Sequence, residues 1–346
     1  MPVTPVSEHT VKTASHTTFY LAAGPVDGPL IIFVHGWPEL AISWRHQLPC
    51  LANLGFRAVA PDMRGYGRSS VYPQHADYAQ ELIVADMIQL LDSLGRDQAI
   101  WVGHDWGSPV VWNMASHHPE RCVGVANLCV PYYTLERGLD ASLELVDRDL
   151  YPESEYPAGQ WEYQLFYQEQ FGRAQAVMEA NPYNTVKLFF RKGNPNGQNK
   201  PSATATVRKA GGWFNGAEEA PDLPRDADVV SEADLHVYAS ALERNGFFGP
   251  NSYYMNHAAN AAYAATAVNG GYLDMPTLFI VATYDYTCEC VTSRLAEPMQ
   301  QYCRHLTTKT IHAGHWVAQE KPAEVNAALV EWLVKSVPEQ WPQPQS

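Results

Sequence analysis

The sequence is short of several things that would each have named a class. Six cysteines in 346 residues are too few for a disulfide scaffold. Cys50, Cys122, Cys129 and Cys303, set among apolar or mixed segments, read as buried free thiols in a reducing compartment. Cys288-Glu289-Cys290 is too tight for a zinc knuckle, and His312-Ala313-Gly314-His315 has no matching ligand cluster, so no metal site is expected. Positive charge is scarce: 23 Lys and Arg against 37 Asp and Glu leave a net −14, which argues against nucleic acid or an anionic membrane as partner. No run of about 18 apolar residues occurs, so no membrane-spanning helix is expected. Residues 1–8 lack the basic-then-apolar pattern of a secretory signal, and residues 342–346 read as a frayed tail without an address. The expected location is cytoplasmic.

What is present belongs to an ordinary globular protein, 46% hydrophobic and 17% charged, long enough for one large domain or a core with an insertion. Compact apolar runs at residues 30–34, 57–60, 98–102 and 122–130 read as buried strands. Between them, residues 81–94 form an amphipathic helix with Leu82, Ala85, Leu90 and Leu94 on one face, and Gly95 stops it. This alternation predicts an α/β fold, a mostly parallel sheet with helices on both faces. From Tyr132 to about Gly271 the rhythm breaks into helical stretches (161–171 and 234–245) around a loop-rich segment, 191–230. It resumes at 277–282 and 305–311 and closes with a helix at 323–334. The expected domains are therefore a core of residues 1–131 and 272–346 and a mainly helical cap of residues 132–271.

One pentapeptide carries the chemistry. Gly103-His104-Asp105-Trp106-Gly107 joins a strand-like run to a helix-like run, the pattern of the nucleophile elbow with aspartate in place of serine. The small flanking residues let the backbone fold back while one side chain is forced outward. A serine there would need a base beside it, whereas an aspartate, with an ordinary pKa of about 3.9, is already an anion at neutral pH. Such a carboxylate can attack saturated carbon and leave an alkyl ester on the enzyme. Taken alone the motif has a bland reading, a turn residue capping the next helix.

Two further residues change the balance. Asp285 ends one late strand and His315 follows the next, so nucleophile, acid and histidine occur in the order expected of the α/β-hydrolase fold. His35-Gly36-Trp37-Pro38 follows the first strongly apolar strand, where an oxyanion hole belongs; the backbone N–H groups of Trp37 and Trp106 would form it. His104, just before the elbow, reads as structural.

These motifs, with Asp62-Met63-Arg64-Gly65-Tyr66-Gly67-Arg68-Ser69 and Gly314-His315-Trp316, resemble those of the α/β-hydrolase-fold soluble epoxide hydrolases. The likeness extends into the insertion through Glu162-Tyr163-Gln164-Leu165, Gly211-Gly212-Trp213-Phe214, Gly246-Phe247-Phe248-Gly249-Pro250 and Tyr253-Tyr254-Met255-Asn256. It covers roughly residues 28–333 and implies the stand-alone form of the enzyme. It also implies that Tyr163 and Tyr254 each hold a hydroxyl over the nucleophile. Tyr253 stands where the family usually has tryptophan, which leaves open which of the adjacent tyrosines points inward. The implied reaction needs no cofactor. Asp105 attacks an epoxide carbon, Tyr163 and Tyr254 stabilise and protonate the ring oxygen, and His315, oriented by Asp285, activates water to release a vicinal diol.

The cap aromatics Trp161, Phe166, Phe189, Phe190, Trp213, Phe247 and Phe248 suit a small apolar epoxide, and equally a cap core of their own. The 191–230 segment is expected along the pocket entrance, and oligomeric state stays open. Two rivals remain. A haloalkane dehalogenase shares the aspartate elbow, but many of those place asparagine where Trp37 stands and lack the tyrosine pair. A non-catalytic hydrolase-fold binding protein would be signalled by a missing triad member, and all three are here. Ser108 lies too far past the elbow to serve as an esterase nucleophile.

Overall fold

The computed structural model describes residues 4–342; residues 1–3 and 343–346, most of the stretch read as a tail, lie outside the described residues. Eight strands form one sheet: β1 (Ser7–Lys12), β2 (Thr17–Ala23), β3 (Leu30–Val34), β4 (Arg57–Pro61), β5 (Ala99–His104), β6 (Cys122–Leu128), β7 (Leu273–Ala282) and β8 (Cys303–Ile311). Their order is β1-β2-β4-β3-β5-β6-β7-β8. The pairs β1–β2 and β2–β4 are antiparallel, and every pair from β4–β3 to β7–β8 is parallel. The fold is that of the α/β hydrolases. Every residue of β3 and β5 is buried, as expected of parallel strands with helices over both faces.

Because β3 lies between β4 and β5, the chain leaves it to one side and returns on the other. A crevice therefore opens at the carboxyl ends of these strands. The loops after β3, β5, β7 and β8 all emerge at that edge. Among the described residues, the chain between β6 and β7 adds nothing to the sheet. It supplies the helices Glu162–Glu179, Pro182–Phe189, Glu232–Asn245 and His257–Ala264, the first interrupted at Gln170.

Several boundaries differ from the sequence expectation, each for a local reason. β6 stops at Leu128, two residues early, because Cys129 turns the chain at φ 70°. β7 begins at Leu273, upstream of Pro276. The proline, which has no N–H to donate, sits where the register against β8 shifts. In the helix Gln80–Ser93 the buried face runs through Ile83, Val84, Met87, Leu90 and Leu91, while Leu82, expected inside, is 39% exposed. All six cysteines are free, and Cys50 is half-buried rather than buried.

Candidate active site

Asp105 stands at the turn between β5 and the helix Gly107–His117, with φ +49°, a left-handed conformation that is unusual for a non-glycine residue. The turn is tight because its neighbours are small. A Cβ on Gly107 would lie 2.1 Å from the Val34 carbonyl oxygen, and one on Gly36 would lie 2.3 Å from Asp105 Oδ1 and 2.6 Å from the Trp106 nitrogen. Glycine at both places lets the loop after β3 press against the elbow. The Trp37 N–H donates to Asp105 Oδ1 at 2.5 Å, so one of the two expected oxyanion donors already faces the carboxylate.

The other carboxylate oxygen, Oδ2, is 3.3 Å from His315 Nε2. On the far side of the same ring, Nδ1 is 2.6 Å from Asp285 Oδ2. Asp285 Oδ1 accepts from the N–H groups of Thr287 and Cys288 at 3.2 and 3.1 Å. Burial opposes charge on Asp285, but His315 and the Cys288 N–H outweigh it and hold the carboxyl below its usual range. Burial also opposes charge on His315; Asp285 and the hydrogen bond to Asp105 prevail and raise it well above the ordinary imidazole value.

A second layer was not evident from sequence. His104 Nδ1 is 2.8 Å from Glu39 Oε2, and its Nε2 is 2.7 Å from the backbone oxygen of His315. Both ring nitrogens face acceptors, so both must donate and the ring is an imidazolium. Burial alone would lower the His104 pKa; Glu39 overrides it and lifts the value to about 10. Glu39 falls to about 2, burial being outweighed by His104. Gly36 N–H donates to the same Glu39 oxygen at 3.0 Å, so the pair ties the loop after β3 to the backbone of His315. Its partners lie 65 and 211 residues apart along the chain, which is why local pattern gave no signal.

Asp105 and His315 open into a cavity of about 170 Å³ lined also by Trp37, Leu135, Tyr163, Phe189, Thr204, Trp213, Tyr254, Thr287, Cys288 and Trp316. Of the aromatic residues noted in the cap, Phe189 and Trp213 line it. Trp161, Phe166, Phe190 and Phe247 are almost wholly buried elsewhere. The 191–230 segment contributes Thr204 and Trp213 to the cavity lining.

Tyr163 and Tyr254 both line the cavity and meet edge to face, ring centroids 5.6 Å apart at 77°. Tyr254 lies flat on Tyr167, at 4.4 Å and 11°, and Trp213 Nε1 donates to the Tyr167 hydroxyl at 3.1 Å. Tyr253 points away: its hydroxyl donates to the Arg64 carbonyl at 2.9 Å. Burial pushes the phenols of Tyr163 and Tyr254 well above their ordinary pKa, and the negative charge of Asp105 adds to the effect. Neither hydroxyl donates to an acceptor among the described residues. Both protons are therefore available to whatever fills the cavity.

Among the described residues two groups of side chains have the composition of metal ligands, His104–Cys129–His315 and Asp285–Cys288–His315, their ligand atoms within 4.8 Å of one another. In both, the imidazole nitrogens already engage Glu39, Asp285 or Asp105 or the His315 backbone. Among the described residues no helix is long and apolar enough to cross a membrane.

Residues 29–322 match the family model described as the alpha/beta hydrolase fold. The chain is 36% identical over 307 residues to bifunctional epoxide hydrolase 2 of Sus scrofa, covering 88% of this chain and 51% of that one. It thus spans about half the length of the mammalian relatives it matches. It is 34% identical over 328 residues to epoxide hydrolase A of Mycobacterium tuberculosis, covering 94% of this chain and 97% of that one. The crystal structure of epoxide hydrolase A from Mycobacterium thermoresistibile superposes with a TM-score of 0.75 at 31% identity, over 96% of this chain and 99% of that one. The chain belongs to the α/β-hydrolase-fold epoxide hydrolases.

Proposed function

We propose that this protein hydrolyses a small apolar epoxide to a vicinal diol through a covalent ester on Asp105, without a cofactor. The observation that carries the reading is one cavity lined by a carboxylate, the Asp105 side chain, and two phenols whose protons have no acceptor among the described residues. Opening an epoxide produces an alkoxide, which leaves poorly unless it is met by an acid. A buried phenol stays protonated at neutral pH and can donate. Two donors hold the ring oxygen and present the carbon to Asp105 for in-line attack.

The second step uses the other side of the carboxylate. Once Asp105 is an ester it carries no charge, so one of the groups that raise the His315 pKa is gone. His315, still held by Asp285, becomes a competent base and activates water. The water attacks the ester carbonyl, and the oxyanion forms where the Trp37 and Trp106 N–H groups meet it. The mostly apolar lining, with Trp37, Leu135, Phe189, Trp213 and Trp316, excludes bulk water and favours an apolar substituent on the epoxide.

The test gives purified protein an equimolar mixture of an aryl epoxide and a bromoalkane, following diol and bromide together. Diol without bromide is expected. Bromide without diol would sink the assignment of the tyrosines and turn the site into a dehalogenase.

A further inference from the structure

The two phenols are not equivalent. Gln164, the residue after Tyr163, is fully buried, and its Nε2 donates to the Tyr163 hydroxyl oxygen at 3.1 Å. Among the described residues its Oε1 has no partner, so there this bond is the side chain's one polar anchor. An N–H aimed at the phenol oxygen does two things. It occupies a lone pair and leaves the O–H proton free to point into the cavity. It also stabilises the phenolate that would remain after that proton is given away. Among the described residues Tyr254 has no such donor and its hydroxyl no hydrogen bond; its ring is held by stacking on Tyr167.

We infer that Gln164 is a positioning residue that makes Tyr163 the member of the pair that gives up its proton, leaving Tyr254 to polarise the ring oxygen by hydrogen bonding alone. The inference rests on the reading of the pair as the acid in the proposed reaction. In the balanced step, an Asp105 oxygen forms a bond to the epoxide carbon as the bond from that carbon to the ring oxygen breaks. The electron pair moves to the ring oxygen, which takes the Tyr163 proton. The negative charge passes from Asp105 to the Tyr163 oxygen, where the Gln164 N–H meets it. The proton released when water cleaves the ester restores the phenol. Burial works against a Tyr163 phenolate, and the Gln164 hydrogen bond is the contact that relieves it.

The experiment measures the single-turnover rate of ester formation with an aryl epoxide for Gln164→Leu, alone and combined with Tyr163→Phe or Tyr254→Phe. Loss of a hydrogen bond to a developing anion should slow ester formation roughly 10- to 100-fold. The same loss is expected on the Tyr254→Phe background, and less than about twofold on the Tyr163→Phe background, since the charge it serves is no longer made. Gln164→Glu, nearly the same shape but an acceptor where the amide donates, should match Tyr163→Phe and covers the case in which the leucine variant does not fold. Equal losses on both phenylalanine backgrounds would overturn the inference and leave Gln164 a packing residue. Faster ester formation in Gln164→Leu would also overturn it, since the amide would then be taking the phenol's proton. If Tyr163→Phe alone costs nothing, the failure lies in the underlying acid reading.

Discussion

His315 Nε2 and Asp105 Oδ2 lie 3.3 Å apart, so the proposed base of one step stands beside the proposed nucleophile of the other. The arrangement separates the two steps experimentally. Replacing His315 by glutamine preserves a polar group beside the carboxylate but removes the proposed base. Ester formation should continue while its hydrolysis slows by roughly 10²- to 10⁴-fold, the usual worth of general-base catalysis. Intact-mass measurement after mixing with an epoxide should then show one added substrate mass per chain, lost on Asp105→Asn. A variant that turns over normally, or one that never gains mass, would contradict the assignment.

The adjacent tyrosines make a sharper comparison. Tyr254→Phe should lower kcat/KM roughly 10- to 100-fold by removing a hydrogen bond that strengthens as charge develops. Tyr253→Phe should leave kcat/KM within about threefold, because its hydroxyl serves the Arg64 carbonyl. It should instead cost about 1 kcal/mol of stability. Steady-state kinetics with one epoxide and denaturant titrations on the two variants check both halves, and a reversed pattern would place Tyr253 at the reaction.

That distinction shows where sequence stops being informative. The turn at Asp105, the loop at Trp37 and the convergence of Asp285 and His315 are legible in the sequence because each lies just past a strand end within a short local pattern. The direction of a side chain in a run of two tyrosines depends on the Arg64 carbonyl, 189 residues away. Strand β1 escapes the sequence reading for another reason. Residues Ser7–Lys12 form an edge strand with no buried position, so they carry no alternation of apolar and polar residues to read. Glu39 is an acid beside Pro38, ordinary as sequence, and becomes notable only when the fold brings His104 to it.

Gly36 offers a test of the elbow's crowding. A methyl group there would stand 2.3 Å from Asp105 Oδ1 and 2.6 Å from the Trp106 nitrogen, below any ordinary contact. Gly36→Ala must push the loop away from the elbow and draw the Trp37 N–H off the carboxylate. A displacement of about 1 Å in a site of this kind costs on the order of 100-fold in kcat. A folded Gly36→Ala protein with unchanged kcat would show that the loop yields without moving the donor.

The Glu39–His104 pair should write itself into stability as a function of pH. Glu39 is depressed from an ordinary 4.5 to about 2 by His104 against the cost of burial. Its contribution is therefore complete above pH 4.5 and is lost as pH falls toward 2. His104 is raised from 6.5 to about 10, Glu39 again prevailing over burial. That contribution is complete below pH 6.5 and is lost as pH rises toward 10. The pair thus favours the folded state most between about pH 4.5 and 6.5, with stability declining on both sides. Glu39→Gln leaves a buried imidazolium without its counter-charge, which typically costs about 3 kcal/mol or more. The variant should melt several degrees lower near pH 6, and His104 should shed its proton on folding. The gap between the two proteins must then narrow as pH rises from 6.5 toward 10, because the wild type loses there what the variant never had. Thermal melts of both proteins across that range decide it: a constant gap would mean that the two side chains are not ionised partners.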